Sequence, residues 1–257
     1  MRYSIIAIIP ILLLGTAQVY GQAEEQESFA YPEGITMRYG LSSFAMRDRY
    51  ISPERYAGLL PYYSLGWVRT HRSHVYTLDF HFQYSQEIEN NHVKSDVLVF
   101  NLNQGFIYPL KPVQLFRREL ALWMGPAVDV EYFENYPRIA VSGFDYTNSY
   151  LTMISLGFRG DGIYPLSGKL TLKSALQLNL LTLGQRTVDS EEDNQPRTRL
   201  LFPANGLHAV FELGTGYDLL NWLSLGVSYR FEMIRVTAWD EVLTAANGLF
   251  MELQVHF

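Results

Sequence analysis

The chain has 257 residues and a formal net charge of −6. That length suits one barrel-type domain or two small ones, and the acidity argues against a nucleic-acid partner, whose phosphates need a concentrated basic face. The absence of cysteine excludes disulfides, zinc–thiolate centres, a lipidated N-terminal Cys and Cys nucleophiles.

The first segment reads as a processing signal. MRYS carries a positive charge, IIAIIPILLLG is an apolar run too short to span a bilayer comfortably, and Val19-Tyr20-Gly21 offers the moderate side chains that a signal peptidase reads. Residues 1–21 are therefore expected to be cleaved, with the cut before Gln22. QAEEQESFAYPEG, at 22–34, is a polar and acidic lead-in without a fold of its own. No later apolar run is long enough for a transmembrane helix.

From residue 35 the pattern has a period of two. HVYTLDFHFQYS sets Tyr76, Leu78, Phe80, Phe82 and Tyr84 against Thr77, Asp79, His81, Gln83 and Ser85. KLTLKSALQLNL, WLSLGVSYRFEM and the closing GLFMELQVHF repeat that alternation. Strands with one oily and one wet face are implied, longer than the five or six residues usual in soluble sheets. Ten such segments are predicted, at about 35–46, 58–70, 74–86, 95–108, 119–133, 148–163, 169–184, 205–218, 222–237 and 247–257. The even-numbered connections are mostly short and the odd-numbered ones longer and more polar. Aromatic residues collect near one rim: Trp67, Tyr76, Tyr108, Tyr164, Tyr217 and Trp222. The wet faces carry small residues such as Gly40, Gly66, Gly157, Gly214 and Gly226, as a crowded interior needs.

The last strand ends Leu253, Val255, Phe257. This alternation closing on an aromatic residue resembles the C-terminal assembly signal of bacterial outer-membrane β-barrel proteins, and the signal segment, with Gln after the cut, resembles those of Bacteroidetes. The resemblance covers the whole mature chain as architecture and the last ten residues as a motif. It implies an all-β fold: an antiparallel, up-and-down transmembrane barrel spanning 35–257, of about ten strands, with eight or twelve as alternatives. It also implies an outer-membrane location with both termini periplasmic, contact with outer-membrane lipid, and capture by the barrel-assembly machinery during biogenesis. A secreted soluble sandwich or lipocalin-like barrel is the competing fold.

On the barrel reading, a polar network fills the lumen: Arg38, Arg159, Lys173 and Arg230 with Asp79, His81, Asp129, Glu131, Asp161, Glu212, Glu232 and Glu252. Asn101, Asn103, Gln177, Asn179, His208 and Gln254 add hydrogen-bonding capacity. Buried charge must pair or reach water, so the network is expected to hold the barrel shut. A narrow cation-preferring pathway is the alternative. LLFPAN at 200–205 is apolar although it lies in the longest outer loop, so Leu200, Leu201, Phe202 and, in the next loop, Trp239 form an expected contact patch for a protein partner.

Catalysis finds little support. Omptins, a protease class of ten-strand barrels, need an Asp pair and an Asp–His pair at the outer rim, and Asp129, Glu131, His92, Asp96, Asp240 and Glu241 do not match them. HRSH at 71–74 places Ser beside His, but in a tight turn at the other end. No metal or cofactor is expected: the six His lack H-x-x-x-H spacing, and DSEEDN at 189–194 lacks the spacing of a calcium loop. The expectation is a non-enzymatic barrel with a structural or interaction role, such as a subunit of a surface assembly. A narrow channel and a rim-located hydrolase are the alternatives.

Overall fold

A computed structural model describes residues 31–49, 51–52, 54–138, 148–189 and 195–257. The expected signal peptide and most of the lead-in lie outside the described residues. Ten long strands close an antiparallel barrel: β1 (Gly34–Asp48), β2 (Tyr56–Thr70), β3 (Val75–Glu89), β4 (Lys94–Pro109), β6 (Arg118–Arg138), β7 (Asn148–Pro165), β8 (Leu170–Asp189), β10 (Gly206–Leu220), β11 (Leu223–Val236) and β12 (Val242–His256). Two short strands supplement the wall. β5 (Val113–Leu115) folds back on β6, and β9 (Arg197–Leu201) pairs with β8 above the stretch where β10 pairs with it. The connection at 111–118, one of the short even-numbered ones, thus forms a small hairpin, with Phe116 at φ 52° and its ring largely exposed at the tip.

The barrel closes through β1 and β12, which pair from Gly34 opposite His256 to Asp48 opposite Val242. The strands run 14 to 21 residues, more than the roughly 9–11 a bilayer crossing needs, so the wall projects past any membrane at its loop end. The outward face shows where lipid would lie. Met37, Leu41, Leu249 and Met251 are 50–72% exposed, and one position nearer the loop end the outward pair becomes Ser43 opposite Asn247. Neighbouring strands link this belt by ring contacts between Tyr39 and Tyr63, Trp67 and Tyr76, and Phe80 and Phe100. Alternation therefore translates into a barrel with its oily face outward.

The interior has three tiers. At the end bearing the termini, a vestibule of about 1010 Å³ opens between Arg72, Lys169, Asp218 and His256. Ion pairs fill the middle. At the loop end, Phe44, Met46, Tyr56, Leu60, Ile88, Val97, Phe133, Leu151, Met153, Ile234 and Val242 pack into a dry plug. A polar network was expected to fill the lumen; at the loop end an apolar plug stands in its place. Inward positions turn apolar toward the loop end, where the wall stands clear of the lipid belt and the interior can pack as an ordinary hydrophobic core.

The lead-in reaches inside. Tyr31 packs edge-on against Trp123, with ring centroids 5.0 Å apart, and its hydroxyl donates to Asp161 Oδ2 at 2.6 Å. Val75, Ile107, Ala121 and Ile163 complete this second apolar cluster. Burial first, then the Asp161 charge, raises the Tyr31 phenol well above 10.0. The folded state thus favours the protonated phenol, so this docking contributes fully below pH 10 and is lost as alkali ionises it.

Two expected outcomes follow from the belt and the lead-in. Met251→Arg should cost about 2–4 kcal/mol in reversible unfolding from vesicles, and Ser43→Arg about 0–1. Tyr31→Phe should cost about 1.5–3 kcal/mol, since its hydrogen bond runs to a charged acceptor, and should speed proteolytic nicking of the lead-in.

Candidate functional site

Period-two alternation aims each polar side chain of the middle tier inward, and closure brings strands far apart in sequence face to face. Arg159 on β7 reaches across the lumen: its Nη1 donates to Asp79 Oδ2 on β3 at 2.6 Å and its Nε to Asp161 Oδ1 at 3.0 Å. Gly66 makes room for this pair, since a Cβ there would stand 2.7 Å from Asp79 Oδ1. Arg38 on β1 binds Glu252 on β12 at 3.0 Å and approaches Glu212 on β10 at 3.6 Å. Lys173 on β8 donates to Glu252 at 3.1 Å and to Gln254 Oε1 at 2.6 Å. Arg230 on β11 joins Glu212 to Glu232, the latter at 3.1 Å.

Beyond these pairs lies the most enclosed part of the network. His208 on β10 sets Nδ1 3.1 Å from Asp129 Oδ2, and Nε2 3.5 Å from Glu131 Oε2 and 2.9 Å from Glu232 Oε1. All four side chains are buried. Asn101 donates to Asp129 at 2.8 Å, and Asn179 lies 2.9 Å from His208 Nδ1. His81 stands at the edge, bonded to the Tyr62 hydroxyl.

All twelve expected network residues occupy inward positions, and eleven of them make the charge contacts above; His81 instead bonds the Tyr62 hydroxyl. Sequence reasoning missed Tyr62, and it missed the buried Asp48–Arg186 pair near the loop end, where Arg186 also donates to the Asp240 carbonyl at 2.7 Å. Extending the β1 alternation would have placed Asp48 inward, but a bulge at Leu180–Leu181 reverses the parity of β8, so alternation counted from Lys173 turns Arg186 outward. Sequence reasoning gave His208 only a hydrogen-bonding role, because Asp129, Glu131 and Glu232 reach it only once the barrel closes.

The expected outer-loop contact patch divides. Leu200 and Phe202 are each 52% exposed, whereas Leu201 is fully buried. Trp239 is half-buried against the plug. Leu201 and Trp239 are therefore corrections: the two-residue period turns Leu201 inward on β9, and Trp239 caps the core. The rim candidates for catalysis stay apart. His92 is exposed 3.6 Å from Glu54, Asp96 pairs with Arg138, and Glu241 is held by Arg47 and Arg49. Ser73 Oγ does lie 3.2 Å from His74 Nδ1 in an exposed turn. Burial, then the adjacent His71, lowers the pKa of His74, and no carboxylate among the described residues orients that ring.

No family model and no curated protein sequence matches the chain. Among solved structures, the outer-membrane protease OmpT of Escherichia coli superposes with a TM-score of 0.53 over 90% of this chain and 99% of its own, at 7% identity. The translocator domain of autotransporter NalP from Neisseria meningitidis gives a TM-score of 0.49 over 87% of this chain and 89% of its own, at 10% identity. The fold is that of the bacterial outer-membrane β-barrels. At such identities the likeness extends to fold alone.

The network predicts a graded response. Arg159→Ala leaves Asp79 and Asp161 without their buried cation and should cost about 3–5 kcal/mol. Lys173→Ala should cost markedly less, because that side chain is 26% exposed beside the vestibule. Urea unfolding midpoints of the two folded variants check this order.

Proposed function

We propose that the protein is a closed, non-enzymatic outer-membrane barrel with both termini in the periplasm, acting as an interaction-bearing subunit at the cell surface. The observation that carries this reading is the plug: the inner wall at the loop end is packed with aromatic and aliphatic side chains, so water and ions have no continuous path. The ion-paired middle tier supports it too, since its charged groups hold one another in salt bridges. The exposed Leu200 and Phe202 supply apolar contact area for a protein partner. Leu253, Val255 and Phe257, on or just beyond the strand that closes the wall, are the residues we assign to recognition by the barrel-assembly machinery. Lipid contact falls to the belt.

Planar-bilayer recording of the purified barrel tests the closed state. The wild type should give no stable conductance steps, whereas Phe133→Ser with Leu60→Ser should admit flickering currents. Stable ion conductance by the wild type would replace this reading with that of a narrow channel. Co-purification from native membranes tests the partner: Leu200→Glu with Phe202→Glu should release it while leaving the folded barrel in the membrane.

A further inference from the structure

The β5–β6 hairpin, at the end bearing the termini, is oily on one face and cationic around its tip. Its register sets Val113 opposite Leu120 and Leu115 opposite Arg118, with Gln114 opposite Glu119 on the other face. Leu120 shares the parity of Leu122 and Met124, which point outward, whereas Ala121 and Trp123 are buried inside. The hairpin therefore prolongs the barrel's oily outer face toward the terminal end. Val113 and Leu115 are exposed on that face, and Phe116, at the tip, is 88% exposed. Lys111, Arg117 and Arg118 are exposed beside them. Arg118 Nη1 donates to the Pro165 carbonyl at 2.9 Å, and among the described residues no carboxylate pairs with any of the three cations.

We infer that this hairpin anchors the barrel in the periplasmic leaflet, laying Val113, Leu115 and Phe116 into the lipid and holding anionic phospholipid headgroups with Lys111, Arg117 and Arg118. The inference rests on the orientation proposed above, with both termini in the periplasm. Depth along β6 supports it. The outward residues are apolar or aromatic from Leu120 to Tyr132, with Arg118 beyond one end and Glu134 beyond the other. At about 3.3 Å per residue and a tilt of about 40°, that stretch rises about 30 Å, against an apolar band about 25 Å tall. Leu120 and its partner Val113 thus fall at the edge of the hydrocarbon, and Arg118 falls where headgroup phosphates begin. Tyr108, opposite Met124 on the same outer face, has the amphipathic ring that suits this depth.

The tip supplies an independent observation. Arg117 N donates to the Leu115 carbonyl at 2.9 Å across Phe116, whose φ is 52°. A three-residue turn of that hand is rare and strained, and a bulky residue seldom adopts it. Strain of this kind persists where the surroundings hold it and where it serves a role. Here two hydrogen bonds tie the hairpin to the neighbouring β7–β8 turn, from the Tyr164 hydroxyl to the Leu115 carbonyl at 3.0 Å and from Arg118 to the Pro165 carbonyl. The result is a fixed tip that presents a bare phenyl ring. Hydrocarbon removes that ring from water, while the long Lys and Arg side chains reach back to the phosphates. A second copy of this chain would set like charges against one another. Lipid is favoured over a partner protein because the apolar face runs on without a break from the outer face of β6, and because cations at a bilayer surface are drawn to its anionic headgroups.

The test uses the full chain, which is free of cysteine, reconstituted in vesicles of phosphatidylcholine and phosphatidylglycerol. Spin labels are placed on Leu115→Cys and Gln114→Cys, one on each face of the hairpin. The Leu115 label should be open to dissolved oxygen and shielded from an aqueous nickel chelate, and the Gln114 label should show the reverse. A Leu115 label as open to the chelate as the Gln114 label would overturn the anchor and leave the apolar face for a protein partner. For the headgroups, spin-labelled phosphatidylglycerol should associate with the unlabelled barrel about threefold or more over spin-labelled phosphatidylcholine, and salt should weaken this preference. Lys111→Gln with Arg117→Gln, both exposed and outside the closed wall, should bring it close to parity. An equal preference in the wild type and the double variant would overturn the headgroup site. Both readouts hold in either orientation. Protection of Gln114→Cys from an impermeant maleimide on intact cells tests the periplasmic placement separately, and its labelling there would overturn the orientation and not the lipid contact.

Discussion

The pairing of β12 with β1 is the contact on which the rest of the molecule depends. In lipid no water is present to satisfy a free N–H or C=O, so a sheet can cross only if its last edge is sealed. Fifteen paired positions, from Gly34 with His256 to Asp48 with Val242, do this. Closure also sets the division of labour among side chains. Every second residue faces lipid and must be apolar, and every other one faces a lumen about ten strands in circumference that must be filled.

How the lumen is filled follows from depth. Within the belt, inward residues are charged and pair across the barrel, which fixes the wall strands at one spacing. Past the belt, the wall is ordinary protein surface outside and mostly apolar core inside, with Phe133, Leu60 and Ile234 in the plug and the Asp48–Arg186 pair buried near the same end. The two tiers stabilise by different physics. The ionic tier is costly to break at one partner, because the other is left charged and dry. The plug instead loses stability in proportion to the volume removed. Their order makes the barrel one-sided: open at the end bearing the termini, closed at the loops.

Strand identity, strand number and the inward set were legible in the sequence because a period of two assigns each residue to one face without knowledge of its neighbours. Arg38, Asp79 and Arg230 could be placed inside on parity alone. Parity does not encode depth, so Phe44, Met46 and Tyr56 gave no sign that they close the lumen above the ionic tier, and Leu201 and Trp239 looked like surface. Nor does parity reveal which strands face one another across the lumen. Asp129 and Glu131 on β6 meet His208 on β10 only after curvature closes the wall, so the most densely charged point of the interior could not be read from spacing along the chain.

One-sided access is the claim on which this account turns, and a chain free of cysteine makes it directly measurable. Single substitutions Thr171→Cys, at the vestibule, and Ile234→Cys, in the plug, would be probed in membranes with a bulky, impermeant maleimide applied from each side in turn. The account predicts that Thr171→Cys reacts from the side carrying the termini and not from the loop side, and that Ile234→Cys reacts from neither. Modification of Ile234→Cys, or of Thr171→Cys from the loop side, would contradict a barrel closed at its loop end.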